Sequence, residues 1–316
     1  MAFVEGLLPG LTPNVLWMYG ALLALHILVS AVPLVVRPFR PGTDFSDYNR
    51  RGLSWWLTTG AQLFALALGP SAFALFFGWV AWRGLGELLA LSPEPVSPLE
   101  RRLATAITLA PFAWMALWGW SPAVTQITAL GLPLLFAAGV LAPSPQGYLR
   151  RAGSLGVAVL LSGFCLSHVA ALVSLPASVN PVGGGAGLYM FAVFLAQFND
   201  LAQYAWGKAL GRRQIVPAVS PAKTWAGFLG GVGTTALAAS LLAPVLTPIP
   251  PLWAPLVGVG IAIAGFWGDI TVSALKRDAG VKDTGTLLPG FGGTMDRADS
   301  LIYVAPAFFH CIRLLT

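Results

Sequence analysis

The chain has 316 residues, of which 56% are hydrophobic and only 9% charged, and its mean hydropathy is +0.75. A soluble domain carries about 25% charged residues, so the composition excludes a water-soluble globular protein; apolar runs of roughly 18–25 residues are those of bilayer-spanning helices, not the weak alternation of a barrel. The net charge of +6 lies between apolar runs and does not point to nucleic acid, and the two cysteines, Cys165 and Cys311, sit singly in apolar runs, which excludes a disulfide framework or a CxxC zinc site.

The opening residues carry Glu5 and no basic residue, so the basic n-region of a secretory signal is lacking. A first span is expected over 15–36, followed by a polar loop with Arg37, Arg40, Arg50 and Arg51. The apolar stretch 53–82 is too long for one span and breaks at Gly69-Pro70-Ser71 into two short helices. Arg83 and Glu87 then open a polar segment ending in the proline-rich SPEPVSPLERR. Further spans are expected over 103–120, 123–141, 153–175, 188–210, 225–246, 252–267 and 301–316. His26, His168 and His310 are dispersed among these runs and read as helix-packing residues.

Threaded with alternating sides, all 18 basic residues except Arg313 fall on one face, which the positive-inside rule makes cytoplasmic. Both termini then face away from it. The chain reads as an all-α, polytopic helical protein of the inner (cytoplasmic) membrane, with about ten transmembrane helices and a cytoplasm-facing polar site in its C-terminal half. Residues 1–175 form an N-terminal transmembrane scaffold and residues 176–316 a C-terminal transmembrane catalytic region.

The stretch 269–299 differs from everything else. Asp269, Lys276, Arg277, Asp278, Lys282, Asp283, Asp296, Arg297 and Asp299 crowd into it, around Gly285, Pro289, Gly290, Gly292 and Gly293. Glycine at this density suits turns and close backbone approach. Asp269 ends the run IAIAGFWGDI, where a carboxylate is costly unless paired or metal-bound. Asp269 and Asp296 would converge if the segment folds back, and Mg2+ favours one or two carboxylates completed by substrate oxygens and water. Lysines and arginines would neutralise the remaining phosphate charge. Asp200 stands inside span 188–210 about two turns before its basic end, with Asn199 and Gln203 beside it. A solvated basic loop accounts for Lys276 and Arg277 taken alone. A transporter accounts for Asp200 taken alone, but no repeats related by symmetry are visible and the polar residues gather at one face, not the midplane.

The run Ser273-Ala274-Leu275-Lys276-Arg277, then Lys282-Asp283, Leu288-Pro289-Gly290, Gly292-Gly293 and Asp296-Arg297-Ala298-Asp299, resembles the signature of CDP-diacylglycerol synthases (phosphatidate cytidylyltransferases). Upstream, Ser220-Pro221-Ala222-Lys223-Thr224-Trp225-Ala226-Gly227 resembles that family's SPxKTxEG segment, Gly268-Asp269 its GDL element, and Asp200 stands where the family has an acidic residue in the preceding helix. The resemblance implies transfer of a cytidylyl group from CTP to phosphatidate, giving CDP-diacylglycerol and pyrophosphate, with Mg2+. It implies metal carboxylates at Asp269 and Asp296 and phosphate-binding cations at Lys223, Lys276, Arg277, Lys282 and Arg297. Asp283 and Asp299 would orient these cations or help hold the metal, and Ser220 and Thr224 would offer hydroxyls to phosphate. Gly292 and Gly293 would bring backbone N–H groups to the substrate.

Two positions depart from the pattern. Phe291 replaces the histidine of PGHGG, and Ala226 replaces the glutamate of the SPxKTxEG segment. A phosphate monoester is already an anionic nucleophile, so positioning and charge neutralisation carry most of the chemistry without that histidine. The departures leave open a different lipid phosphate or a catalytically weakened paralogue. The expected partners are CTP, phosphatidate or a related lipid phosphate, and membrane lipids; no nucleic acid is expected, and a homodimer is compatible with the reading.

Overall fold

The computed structural model describes residues 11–39, 42, 44–141, 144–287, 290 and 292–316. Glu5, Arg40, Leu288, Pro289 and Phe291, named above, lie outside the described residues.

Helices α1 (Pro13–Val36) and α2 (Ser46–Ala67) lead into α3 (Pro70–Ala90). The break between α2 and α3 is where glycine and proline demand it: Gly69 takes φ +101°, and Pro70 opens the next helix where a missing N–H costs nothing. α3 runs through Arg83 and Glu87 to Ala90, so these two charges lie on a helix and not in the polar segment the sequence suggested. α4 (Pro98–Trp118) starts earlier than expected because Ser97 and Glu100 form a reciprocal capping box. α5 (Ala123–Val140) follows. The next long helix runs from Tyr148 to Val173 as α6 (Tyr148–Val159), a π-helical turn (Leu160–Cys165) and α7 (Leu166–Val173). α8 (Gly184–Leu210) precedes a hairpin of β1 (Gln214–Val216) and β2 (Ser220–Thr224), which pair antiparallel with Gln214 opposite Thr224. This hairpin is the departure, among the described residues, from an all-helical chain, and it occupies the connection between the expected spans 188–210 and 225–246.

α9 (Trp225–Leu246) coincides with the expected span. Thr224 caps it by accepting a hydrogen bond from the Gly227 N–H at 3.2 Å. α10 (Ala254–Asp278) continues eleven residues past the expected end at 267, so Asp269, Lys276, Arg277 and Asp278 ride on its last turns. Its hydrogen-bond ladder is uninterrupted there because nothing before Gly280 breaks it. A short α11 (Met295–Ala298) and α12 (Leu301–Leu315) close the chain.

All of α7 is buried, and α3, α4, α8 and α12 pack around it. α8, α9 and α10 pack against one another, with α12 against α10. Phe191, Phe308 and Phe309 fill the centre. Six helices among the described residues are long and apolar enough to cross a membrane: α1, α3, α5, the 148–173 helix, α9 and α10. α2, α4 and α8 are long enough but fall outside that set, and α12 is a shorter apolar helix. The count of ten spans expected above is therefore not reached on length and hydropathy. The apolar window of α1 is only 6% buried, and Leu28, Leu34, Leu237 and Leu241 are exposed. Such faces are untenable in water and ordinary against acyl chains.

Candidate active site

Two linked polar clusters form where α8, α9, α10 and the 282–299 segment meet. In the first, Lys223 leaves the end of β2 and sets its Nζ 2.6 Å from Asp269 Oδ2 and 3.9 Å from Asp200 Oδ1. The same ammonium donates to Gln203 Oε1 at 3.3 Å. Ser273 Oγ, one turn along α10, donates to Asp269 Oδ1 at 3.3 Å. Ser300 Oγ donates to Asp200 Oδ2 at 2.8 Å. Asn199 ties α8 to its neighbours, donating to the Ala262 carbonyl and accepting from Thr235 Oγ1. Gly268 sets how close α10 comes to the last helix: a Cβ there would stand 2.3 Å from the Asp299 carbonyl oxygen. That approach brings Asp299 beside Asp200 and Asp269.

The electrostatics of this cluster are unbalanced. Burial works to discharge Lys223, but the negative charges of Asp269 and Asp200 outweigh it and hold its pKa above the ordinary lysine value. Desolvation, then repulsion from Asp269 and Asp200, pushes Asp299 up to about 8. Arg297 lies within electrostatic reach of Asp299, Asp200 and Asp296, so it bridges the two clusters.

The second cluster is organised by two carboxylates. Asp296 Oδ2 accepts from the Thr284 N–H (2.7 Å), the Gly293 N–H (2.8 Å) and Thr284 Oγ1 (3.0 Å), and its Oδ1 takes the Lys276 ammonium at 2.7 Å. Burial opposes ionisation of Asp296, yet Lys276 and the two N–H groups hold its pKa below the usual carboxylate range. Glu87, buried on α3, accepts from the Thr294 N–H (2.8 Å) and the Met295 N–H (2.9 Å), and its Oε2, 2.9 Å from Thr284 Oγ1, shares that single hydroxyl proton with Asp296 Oδ2. Glycine is required at 293, where a Cβ would come within 2.4 Å of both Glu87 Oε2 and Thr284 Oγ1. At Gly292 the backbone takes φ +84°. These glycines let the chain close on protein carboxylates, and the Gly293 N–H expected to face phosphate is committed to Asp296. Gly290 lies against Arg50 and Arg51 of α2.

Of the residues expected at the site, Asp200, Lys223, Asp269, Asp299 and Arg297 come together, and Lys276 pairs with Asp296. Arg277 is exposed and donates to the Val219 and Val281 carbonyls. Lys282 and Asp283 are exposed on the rim. Ser220 pairs through its backbone within the hairpin opposite Val216, and the Thr224 hydroxyl oxygen accepts the helix-capping N–H of Gly227. Glu87, Thr284 and Ser300 were missed. Glu87 was findable: an acid inside an apolar helical run raises the same question as Asp269.

Asp269 and Asp296 make hydrogen bonds and ion pairs with different partners, and all four contacts of Asp296 are to protein donors. Among the described residues no three carboxylate, histidine or cysteine side chains form a ready metal cage. The first cluster nonetheless fits a divalent cation that takes substrate oxygens and water for most of its shell. Asp200 Oδ1 is buried without a hydrogen-bond partner, and three mutually repelling carboxylates crowd around Lys223, with Arg297 within electrostatic reach.

A model of the cytidylyltransferase family matches residues 49–315. The chain is 47% identical over 187 residues to the Escherichia coli (strain K12) protein called uncharacterized protein YnbB, a match covering 59% of this chain and 62% of that protein. It is 30% identical over 273 residues to a phosphatidate cytidylyltransferase of Brucella suis biovar 1, covering 81% and 86% of the two chains. It is 36% identical over 133 residues to a phosphatidate cytidylyltransferase of Bacillus subtilis (strain 168), covering 42% and 49%. With a family model spanning most of the sequence and a relative matched along most of both chains, this protein belongs to the cytidylyltransferase family.

Proposed function

We propose that the chain is a multi-pass enzyme of the inner membrane that moves the cytidylyl group of CTP onto phosphatidate at the cytoplasmic face, releasing CDP-diacylglycerol and pyrophosphate for phospholipid synthesis. The observation that carries the reading is the Lys223 ammonium held between Asp269 and Asp200, in a chain of this family. The names of the Brucella and Bacillus relatives supply the lipid. About ten crossings, with the charged α2, α4 and α8 and the short α12 added to the six apolar helices, keep every basic residue but Arg313 on one side.

An oxygen of the lipid phosphate attacks the α-phosphorus of CTP in line. One P–O bond forms, the bond from the α-phosphorus to the β-bridging oxygen breaks, and pyrophosphate leaves with the electron pair. The nucleophile is already anionic, so the protein's task is positioning and charge neutralisation. Lys223 and Arg297 face the crowded carboxylates and hold the triphosphate against them. Lys276, fixed by Asp296, and the rim cations Arg277 and Lys282 neutralise the departing charge. Asp269 with Asp200 and Asp299 would hold Mg2+, which would supply charge neutralisation for the departing pyrophosphate. Asp296 acts as the clamp of the 284–296 turn, a change from the metal role that the resemblance implied.

The experiment is turnover by the purified protein of labelled CTP with Mg2+ against a panel of lipid phosphates in detergent. Formation of the CDP-lipid from phosphatidate, lost in Asp269→Asn, is expected. No product from any lipid phosphate sinks the reading.

A further inference from the structure

A cavity of about 470 Å3 lies away from the Lys223 cluster, between α3 and α4 and against the 284 turn. That volume is in the range of small-ligand sites. Arg83 and Arg101 line it together with Leu85, Leu89, Glu87 and Thr284. The lining therefore mixes apolar side chains of α3 with two guanidiniums, Arg83 from α3 and Arg101 from α4. Arg83 Nε is buried and makes no hydrogen bond among the described residues.

The neighbouring acids do not balance these arginines. Glu94 is paired with Arg150 at 2.6 Å, and Glu100 with Arg151 at 2.9 Å in a buried contact. Glu87 lines the cavity and accepts from the neutral donors of Thr284, Thr294 and Met295, so its charge offsets one of the two guanidiniums and the lining stays net positive. Neither Arg83 nor Arg101 enters an ion pair among the described residues. A net positive lining, with the desolvated N–H of Arg83 and the exposed guanidinium of Arg101, selects for an anion that accepts forked hydrogen bonds, and phosphate is that kind of anion. The apolar side chains of the lining select for a phosphate that carries hydrocarbon.

We propose that this cavity seats the phosphate headgroup of the acceptor lipid, with Arg83 and Arg101 as its anion-binding pair. Thr284 connects the seat to the chemistry. Its hydroxyl lies 3.0 Å from Asp296 Oδ2, and Asp296 Oδ1 lies 2.7 Å from Lys276. The nucleotide and the lipid would then approach the 284–296 turn from opposite sides, the nucleotide from the Lys223 cluster and the lipid from α3 and α4. The fate of the lipid rests on the cytidylyl-transfer reading, but its binding does not.

The test is equilibrium binding of dioctanoyl phosphatidate to the full-length protein in detergent, without CTP, by titration calorimetry. Two variants probe the site independently. Arg83→Gln/Arg101→Gln removes the charge. Gly86→Leu adds bulk at another lining residue, where a Cβ meets nothing within 4 Å. Each is expected to weaken binding by about tenfold or more, the scale of a lost charge-assisted contact. In turnover, the double variant should raise KM for phosphatidate by a similar factor and leave KM for CTP within about twofold. Unchanged phosphatidate affinity in both variants overturns the proposal. So does inorganic phosphate binding as tightly as the lipid, which would make the cavity a free-anion site. Absence of turnover with intact, arginine-dependent binding would sink the cytidylyl-transfer reading and leave this one standing.

Discussion

Glu87→Gln is the most informative single substitution. The carboxylate receives two backbone N–H groups and a hydroxyl from the opposite end of the chain, all within 2.9 Å and all buried. The amide keeps one acceptor oxygen. Its NH2 group must then face at least one N–H donor, from Thr294 or Met295, leaving that donor buried and unpaired. An unsatisfied buried N–H costs about 1–3 kcal/mol, and exchanging a charged acceptor for a neutral one loses roughly another 1 kcal/mol per remaining bond. The local cost is about 3 kcal/mol. If the 284–296 turn must be closed for turnover, this corresponds to roughly a hundredfold loss in kcat/KM. The assay has two parts: CTP- and Mg2+-dependent CDP-lipid formation, and amide hydrogen exchange across 282–299. Loss of activity with faster exchange in that segment, and little change in α8 or α9, is expected. Wild-type turnover with unchanged exchange would refute the idea that Glu87 holds the turn.

Lys223→Met removes the ammonium 2.6 Å from Asp269 and leaves three carboxylates facing one another; activity should fall by at least about a hundredfold, and the melting temperature of the metal-free protein should drop. Wild-type CTP turnover in this variant would displace Lys223 from the site. Gly293→Ala places a Cβ 2.4 Å from Glu87 Oε2 and should abolish activity, whereas Gly233→Ala, where a Cβ meets nothing within 4 Å, should be neutral or stabilise α9 by up to about 1 kcal/mol. Equal activities in the two alanine variants, read in the same turnover assay, would contradict the close-approach argument. Asp299 is raised from 3.8 to about 8, so the folded state binds its proton more tightly than the unfolded state does. Stability from this group is therefore greatest at acid pH and declines as pH rises to about 8. In chelator-treated protein the melting temperature should fall across that window, and Asp299→Asn should flatten the fall; an unaltered slope would count against the shift.

The membrane character, the positions of most helices and the residues of the first cluster follow from local information alone. Apolar run length needs no tertiary context, and a break such as Gly69-Pro70 is decided by φ and a missing N–H. Asp200, Lys223 and Asp269 were legible because an ionised side chain beside or within an apolar run demands a partner wherever the chain goes. Helix ends and partner choice were not legible. α10 carries its ladder eleven residues beyond the apolar run because hydrogen bonding, not hydropathy, ends a helix. The connection 214–224 closes into a hairpin that aims Lys223 at Asp200 and Asp269. Asp296 looked like a partner for Asp269, yet three N–H and O–H donors and one lysine reached it first. Glu87 entered the site only through a contact spanning about two hundred residues, and no periodicity or motif encodes such a meeting. Residue chemistry decides which groups must be satisfied; packing of α3 against the final turn decides by whom.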